Sequence, residues 1–311
     1  MSLVAMSELL ADAKRGGYAV CYCESWNLES IQAVLEAAEE EHSPIIAGFN
    51  GGFLRHPGRT RAENLAFYAG FGLAIREARI PVAFILNETP DFAQIEEALD
   101  LGFNAIMVEN EGFAIGEYLP LVKRVVTLAH RRGASVEAQV GHLADASGNG
   151  NPEPTSPEVA QAFVEETGID ALSVAVGNVH ILTQGKAELD LEALATLGRS
   201  VRVPLVLHGG TGIPLEMAER CVRLGVAKVN FGTALKQVYL AAVREKLANY
   251  REPMSPHPFL GMGGPNDVLV AAKNAVKSKV KELLRAFASA GKTARKSQPI
   301  LGIKDQGIAR N

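Results

Sequence analysis

Polar side chains that can bind metals or move protons follow a series of short apolar runs in the sequence. They include two histidines, three carboxylates and five amides: Glu24, Asn50, Asn87, Glu88, Glu109, Gln139, Asn178, His180, His208 and Asn230. Imidazole and carboxylate groups hold divalent cations, and a carboxylate beside a cation can transfer protons. One such residue alone is usually a hydrogen-bonded structural group, but their shared placement after successive runs favours an active site.

Two glycine-containing segments have the composition of phosphate-binding loops. They are LHGGTG at 207–212 and KVNFGTA at 228–234, and each follows an apolar run. Glycine lets backbone N–H groups approach an anion at the start of a helix, although glycines here could also serve only to make tight turns. We expect phosphate or substrate contacts from Asn50, Gly209, Gly210, Thr211, Asn230, Gly232 and Thr233.

The apolar runs themselves predict eight strands, at 19–23, 45–49, 82–86, 105–108, 135–140, 171–176, 204–207 and 228–231. Segments with apolar residues at helical spacing lie between them, which predicts a parallel sheet covered by helices. Eight such units close into an α/β (β/α)8 TIM barrel, with its active site at the C-terminal ends of the strands. The alternative is an open doubly wound sheet, but no G-x-G-x-x-G follows the first run.

The length of 311 residues suits one barrel of roughly 250 residues with extensions. We predict a single domain at 1–291, which includes a C-terminal helix at 265–287, followed by a tail at 292–311. Segment 142–156 contains Gly-Asn-Gly-Asn-Pro at 148–152 and has little apolar content, which predicts a mobile loop over the barrel mouth or a disordered one.

The composition excludes several classes of partner. The formal net charge is -4, with acidic and basic residues spread along the chain, so nucleic acid is not an expected partner. No run of about 18 apolar residues lacks a charge, and the N-terminal turns are charged, so we expect neither a membrane span nor a signal peptide. Three cysteines make no disulfide framework. We therefore expect a cytoplasmic protein, and a homo-oligomer that is a dimer or tetramer.

Several longer segments resemble the class II, metal-dependent ketose-bisphosphate aldolases, which include fructose-bisphosphate and tagatose-bisphosphate aldolases. The segments are SELL at 7–10, IQAVLEAAE at 31–39, FVEETG at 163–168, VLHGGTGIP at 206–214, AKVN at 227–230 and ASAGK at 288–292. The resemblance covers nearly the whole chain. It implies a divalent metal, usually zinc, that is held by three histidines and polarises the carbonyl of a dihydroxyacetone-phosphate unit. His180 and His208 match two of those histidines.

The chain departs from this family after the third predicted strand. The family usually has H-L-D-H there, whereas residues 85–88 are Ile-Leu-Asn-Glu. Asn87 replaces the proton-transferring aspartate and cannot titrate, while Glu88 replaces the third metal-binding histidine and can still bind a metal. A carboxylate makes the site harder, which favours manganese or magnesium more than the family's site does, although zinc remains the first choice.

Other departures affect the same site. The chain has Glu24 for an asparagine, Asn50 for a serine, Glu109 for an aspartate, Gln139 for a glutamate, Ile181 for a glycine and Gln184 for a phosphate-contacting lysine. Glu24 or Glu109 could take the role lost at Asn87. Buried carboxylates cost free energy unless they are paired or used, so carboxylates gained at an active site favour retained chemistry.

Three functions follow as hypotheses. The first is a divergent metal-dependent lyase that acts on a phosphorylated ketose or related sugar acid through a metal-stabilised enediolate. The second is an isomerase or epimerase that uses the same enediolate, and the third is a non-catalytic sugar-phosphate-binding homologue. In each case we expect Glu88, His180 and His208 to converge on one divalent ion.

Overall fold

Eight parallel strands close into a barrel in the order in which they occur along the chain. The structure, a computed structural model, describes residues 2–146 and 152–293. Its strands are β1 Val20–Ser25, β2 Ile45–Asn50, β3 Val82–Thr89, β4 Ala105–Val108, β5 Ser135–Val140, β6 Ala144–Asp145, β7 Ala171–Val174, β8 Val179–His180, β9 Leu205–Leu207 and β10 Val226–Phe231. All except β6 and β8 belong to the barrel. The predicted eight-stranded α/β barrel is confirmed.

Helices connect the strands and cover the outside of the barrel. They are α1 Met6–Gly16, α2 Leu28–Glu40, α3 Gly51–Leu54, α4 Leu65–Ala69, α5 Phe71–Glu77, α6 Phe92–Asp100, α7 Ile115–Arg131, α8 Pro157–Thr167, α9 Leu191–Ser200, α10 Ala218–Arg223, α11 Thr233–Leu247 and α12 Val268–Ala286. Polar side chains begin several of them; Asn27, for example, accepts the Ser30 N–H in a capping box on α2. Within the described ranges, no helix combines the length and the apolarity that a membrane span needs.

The apolar core has two layers, one inside the barrel and one between the barrel and its helices. The inner layer contains α1 residues such as Met6 and Leu10 together with Val20 and Ile85 from the strands. Because these α1 residues meet side chains near the strand starts, α1 closes the N-terminal end of the barrel. The outer layer is larger and joins alternate strand residues to the helices.

The described ends of segment 142–156 form backbone hydrogen bonds. Strand β6 pairs in parallel with β8, and the backbones of His142 and Glu153 exchange two hydrogen bonds of 2.8 Å. The described ends of this segment are therefore paired through their backbones despite the composition, and the mobility of the loop stays a prediction. Residues 147–151 lie outside the described residues.

The C-terminal part follows the prediction up to residue 293. Helix α12 lies within the predicted segment 265–287 and packs against α2 and α11. Residues 294–311 of the predicted tail lie outside the described residues, so the domain boundary at 291 stays a prediction. The three cysteines are buried and form no disulfide, as expected.

Candidate active site

A cavity of about 370 Å³ opens at the C-terminal ends of the barrel strands. Of the residues predicted to hold the metal, transfer protons or contact the substrate, all but Asn87, His208 and Gly210 line it: Glu24, Asn50, Glu88, Glu109, His180, Gly209, Thr211, Asn230, Gly232 and Thr233. The three exceptions are buried behind the wall of the cavity. The structure thus brings the predicted residues together around one space.

Glu88, His180 and His208 form the one group among the described residues with the composition and spacing of a metal site. Each offers one ligand atom, and these atoms lie within 4.8 Å of one another. The Nδ1 atom of His208 is 3.3 Å from Oε1 of Glu88, and it is buried without a hydrogen-bond partner among the described residues. Two imidazoles and a carboxylate suit zinc and also manganese. The donor set therefore fits a divalent cation.

Glu88 reaches this group because β3 is irregular at its end. In a regular strand, the side chains of Asn87 and Glu88 would face opposite sides of the sheet. The register between β3 and β4 shifts between Leu86 and Thr89, and Glu88 has a φ of 51°, in the left-handed region. Both side chains now meet, since Asn87 Nδ2 donates a 2.8 Å hydrogen bond to Glu88 Oε1.

Asn50 also holds the Glu88 carboxylate. Its Nδ2 donates a 2.5 Å hydrogen bond to Glu88 Oε2, and its Oδ1 accepts the Phe53 N–H at the start of α3. Both Glu88 oxygens are therefore bound by amides. Burial by itself would raise the pKa of Glu88. Its contact with His208 and the charges of His180 and His208 outweigh burial and lower the pKa to about 2. Glu88 is ionised at neutral pH, as a metal ligand must be.

A buried ion pair orients His208. The Nε2 atom of His208 is 2.7 Å from Glu137 Oε1, and Lys228 Nζ donates a 2.6 Å hydrogen bond to Glu137 Oε2. None of these three side chains is exposed. With Nε2 bound to Glu137, Nδ1 faces Glu88, which is the orientation that a metal-binding imidazole needs.

The Glu137–Lys228 ion pair also affects the protonation of His208 and Glu137. Burial opposes protonation of His208, but its contacts with Glu137 and Glu88 raise its pKa to about 9. Burial would raise the pKa of Glu137, yet the charge of Lys228 keeps it lowered. Glu137 and Lys228 are not among the site residues predicted from the sequence. Both could have been found because each is a charged residue within an otherwise apolar strand. A charge buried in this way costs free energy unless it is paired.

The two candidate proton-transferring carboxylates have different surroundings. Glu24 accepts a 2.6 Å hydrogen bond from Lys236 Nζ, and burial raises its pKa although Lys236 opposes the shift. Glu109 accepts the N–H groups of Asn110 and Glu111 at 2.8 and 3.1 Å, with no cationic side chain paired to it among the described residues. Burial and the Glu88 charge raise the Glu109 pKa to about 7. Glu109 is therefore better suited to exchange protons near neutral pH.

The two glycine-containing loops form one wall of the cavity. Gly209 has a φ of 66°, and a Cβ there would lie 2.2 Å from the Val179 carbonyl oxygen, so only glycine allows this close approach to β8. Thr211 Oγ1 accepts the Ala234 N–H at 3.0 Å and joins the two loops. Asn230 is 7% exposed, and neither of its side-chain polar atoms has a partner among the described residues.

Unpartnered buried polar atoms concentrate around this cavity. Across the described residues, six buried side-chain atoms have no hydrogen-bond partner: Tyr22 Oη, Ser25 Oγ, Asn87 Oδ1, His208 Nδ1 and both polar atoms of Asn230. Tyr22 and Asn230 line the cavity, whereas Asn87 and His208 contact Glu88. Since buried polar groups are normally satisfied, this concentration indicates a site for a polar ligand.

Two of the predicted polar residues are structural instead. The Gln139 side chain bonds Asn110 and Ser173, and the Asn178 side chain donates to the His208 backbone carbonyl and accepts the Val176 N–H. Neither lines the cavity. Conversely, Lys236 lines the cavity but is not among the predicted residues. It is a cation in the first turn of α11, where a positive charge is unfavourable without a partner.

Comparisons with known proteins agree with the fold and with the family resemblance. The family described as fructose-bisphosphate aldolase class-II matches residues 4–292. A fructose-bisphosphate aldolase of Staphylococcus aureus is 35% identical over 294 residues, which cover 91% of this chain and 97% of the relative. One of Geobacillus stearothermophilus is 36% identical over 298 residues, with 94% and 100% covered. The crystal structure of the YdjI aldolase from Escherichia coli K12 has a TM-score of 0.78 at 29% identity, with 94% and 99% covered.

Proposed function

Since the chain belongs to the class II fructose-bisphosphate aldolase family, we propose that it is a divergent metal-dependent lyase acting on a phosphorylated ketose or related sugar acid. The observation that carries this proposal is that Glu88, His180 and His208 have ligand atoms within 4.8 Å of one another, beside the cavity that Glu88, His180 and Glu109 line. A metal site beside a carboxylate poised near neutral pH is the minimum that enediolate chemistry needs.

Glu88, His180 and His208 would hold the cation, and Glu137 would keep the His208 ring oriented. A divalent cation, with zinc as the first choice and manganese or magnesium as alternatives, would polarise the substrate carbonyl and stabilise an enediolate. Asn50 and Asn87 keep the Glu88 carboxylate in place through its two oxygens. Asn87 thus acts as a positioning residue, because its amide cannot take up a proton.

Glu109 takes the proton-transfer role in this proposal. In cleavage, it accepts the proton of the hydroxyl whose carbon becomes the aldehyde, while the neighbouring carbon–carbon bond breaks. The bonding electrons pass to the ketone fragment as an enediolate, and the proton returns to that fragment's carbon. Glu24 is less suited to this role because Lys236 occupies one of its oxygens. Assembly as a dimer or tetramer and a cytoplasmic location stay predictions.

The test measures proton exchange and aldehyde release separately. Metal-free protein is loaded with zinc, manganese or magnesium, and exchange of the carbon-bound protons of dihydroxyacetone and its phosphate is followed in D2O by NMR. Glu109→Gln should reduce exchange at least about 100-fold, since general bases contribute about 10²–10⁴. Asn87→Ala should cost less than about 10-fold, because it removes orientation only.

Two outcomes would contradict the proposal. Exchange at the parent rate in Glu109→Gln would show that the proton goes elsewhere. The second test uses phosphorylated ketoses of every stereochemistry as substrates. If proton exchange proceeds but none of these ketoses releases an aldehyde, the protein is an isomerase or epimerase instead of a lyase.

A further inference from the structure

The end of the cavity next to α11 contains a carboxylate where the sequence predicts a phosphate. A Cβ built on Gly232 would lie 2.2 Å from Glu24 Oε2, so this oxygen lies directly against the Gly232 backbone. The β1–β10 register explains the contact, because Cys23 pairs with Phe231 and the next residues of both strands are therefore neighbours. The Glu24 carboxylate thus lies against the backbone of the loop that the sequence predicts to bind phosphate.

The nearby cation is already used by this carboxylate. Lys236 Nζ is 2.6 Å from Glu24 Oε1, and it lies 4.4 Å from the centre of the Phe53 ring. The two opposite charges leave this end of the cavity without a net positive charge. Gln184, where the resemblance has a phosphate-contacting lysine, is exposed and does not line the cavity.

The hydrogen-bonding groups at this end also disfavour a phosphate. Glu24 Oε2 accepts no hydrogen bond from any described residue, while Asn230 offers an unpartnered acceptor and an unpartnered donor at 7% exposure. A phosphate dianion has only acceptors, so it would face the Glu24 acceptor with a like charge. A hydroxyl group can donate to Glu24 and accept from the Asn230 amide.

We propose that the cavity end formed by Glu24, Asn230 and Gly232 binds an uncharged hydroxymethyl group of the substrate. This inference rests on the proposed function and narrows its substrate class. The ketone fragment is then of the dihydroxyacetone type, without a phosphate, and any phosphate or carboxylate belongs to the opposite end of the ketose.

The first experiment measures anion binding to the zinc-loaded protein by calorimetry, with inorganic phosphate and dihydroxyacetone phosphate as probes. Glu24→Gln removes the carboxylate and leaves Lys236 unpaired, so both probes should bind at least about 10-fold more tightly than to the parent protein. Glu36→Gln is the matched control, since Glu36 forms a similar 2.7 Å ion pair with Lys273 between α2 and α12, remote from the cavity. It should change the Kd of either probe less than about 2-fold.

The second experiment compares kcat/KM for proton exchange in dihydroxyacetone and in its phosphate. The parent protein should prefer dihydroxyacetone at least about 10-fold, and Glu24→Gln should reverse this preference. Glu24→Asn, which restores the residue usual in the family, provides a second variant should Glu24→Gln fold poorly.

The results separate this inference from the proposed function. A parent protein that binds dihydroxyacetone phosphate as tightly as Glu24→Gln does, or prefers it in exchange, overturns the inference and leaves the lyase proposal standing. If no variant catalyses exchange but phosphate binding still strengthens in Glu24→Gln, the lyase proposal fails while the exclusion of phosphate by Glu24 stands.

Discussion

The two ends of the barrel interior differ in how their side chains are satisfied. At the N-terminal end, α1 inserts Met6, Leu9 and Leu10 among apolar strand residues, and none of these groups needs a polar partner. At the C-terminal end, Glu88 and Glu109 are joined by histidines and amides within one cavity. The first end gains free energy from burial, whereas the second pays desolvation costs that its own residues only partly offset.

This difference indicates that one end of the barrel stabilises the fold and the other end binds ligands. Glu137 is compensated by Lys228 and His208, and Glu88 by two amides, but Glu109 keeps a pKa raised to about 7 and Asn230 keeps unpartnered atoms. A bound ligand can supply the charges and hydrogen bonds that these buried groups lack. We call the C-terminal end of the barrel, with its cavity, the mouth, and the N-terminal end, closed by α1, the base. Substitutions at the mouth should therefore alter metal binding and catalysis, and substitutions at the base should alter stability.

The largest effect is expected at the mouth, from Glu88→Ala. Loss of one of three ligands should weaken zinc binding at least about 1000-fold, which corresponds to about 4 kcal/mol. Chelator competition measures the Kd, and elemental analysis measures the metal content after dialysis. Glu36→Ala, a carboxylate removed from the outer surface, should leave both unchanged.

Glu88→His sharpens the same test. An imidazole should retain zinc but weaken manganese and magnesium binding, because these harder ions prefer oxygen ligands. Full zinc content in Glu88→Ala would show that this residue is not a ligand and that the mouth is organised differently.

At the base, Leu10→Ala should lower the free energy of unfolding by about 2–4 kcal/mol, since Leu10 is fully buried in the inner core. Zinc affinity and turnover should remain within about 2-fold of the parent values. Leu73→Ala, at a side chain that is 71% exposed, should change stability by less than about 0.5 kcal/mol. Denaturant titration measures stability, and a large loss of zinc affinity in Leu10→Ala would contradict the separation of the two ends.

The smallest effect is expected from Glu109→Gln in the metal-free protein. The folded-state pKa of Glu109 is about 7, above its ordinary value of 4.5, so ionisation destabilises the fold as the pH rises between these values. Glutamine does not titrate, so the variant should gain stability over the parent at pH 8, by at most about 3 kcal/mol, and nothing below pH 4.

Glu36→Gln should show the opposite sign. Lys273 and Lys277 overcome the effect of burial and lower the Glu36 pKa, so the ionised carboxylate stabilises the fold above its ordinary pKa. This variant should therefore lose stability at pH 8 and recover it in acid. A Glu109→Gln difference that is independent of pH would contradict the raised pKa.

The sequence by itself determined the architecture and the location of the site. Apolar runs of strand length, alternating with helical spacing, depend on local side-chain periodicity, so eight strands and their order could be predicted. The position of the site could then be predicted from the polar residues at the strand ends, because parallel strands present these ends to one face of a barrel. Asn50, Glu109 and Asn230 could be placed on the cavity in this way.

Only the tertiary structure decided how these residues interact. The irregular end of β3 turns Glu88 toward the histidines, and strand alternation alone predicts the opposite face. Glu137 and His208 are 71 residues apart, and Glu24 and Lys236 are 212 apart. Such pairs depend on the register between strands and on the start of α11, which no local pattern encodes. The charge balance of the cavity, and with it the group that each end can bind, is therefore a property of the closed barrel.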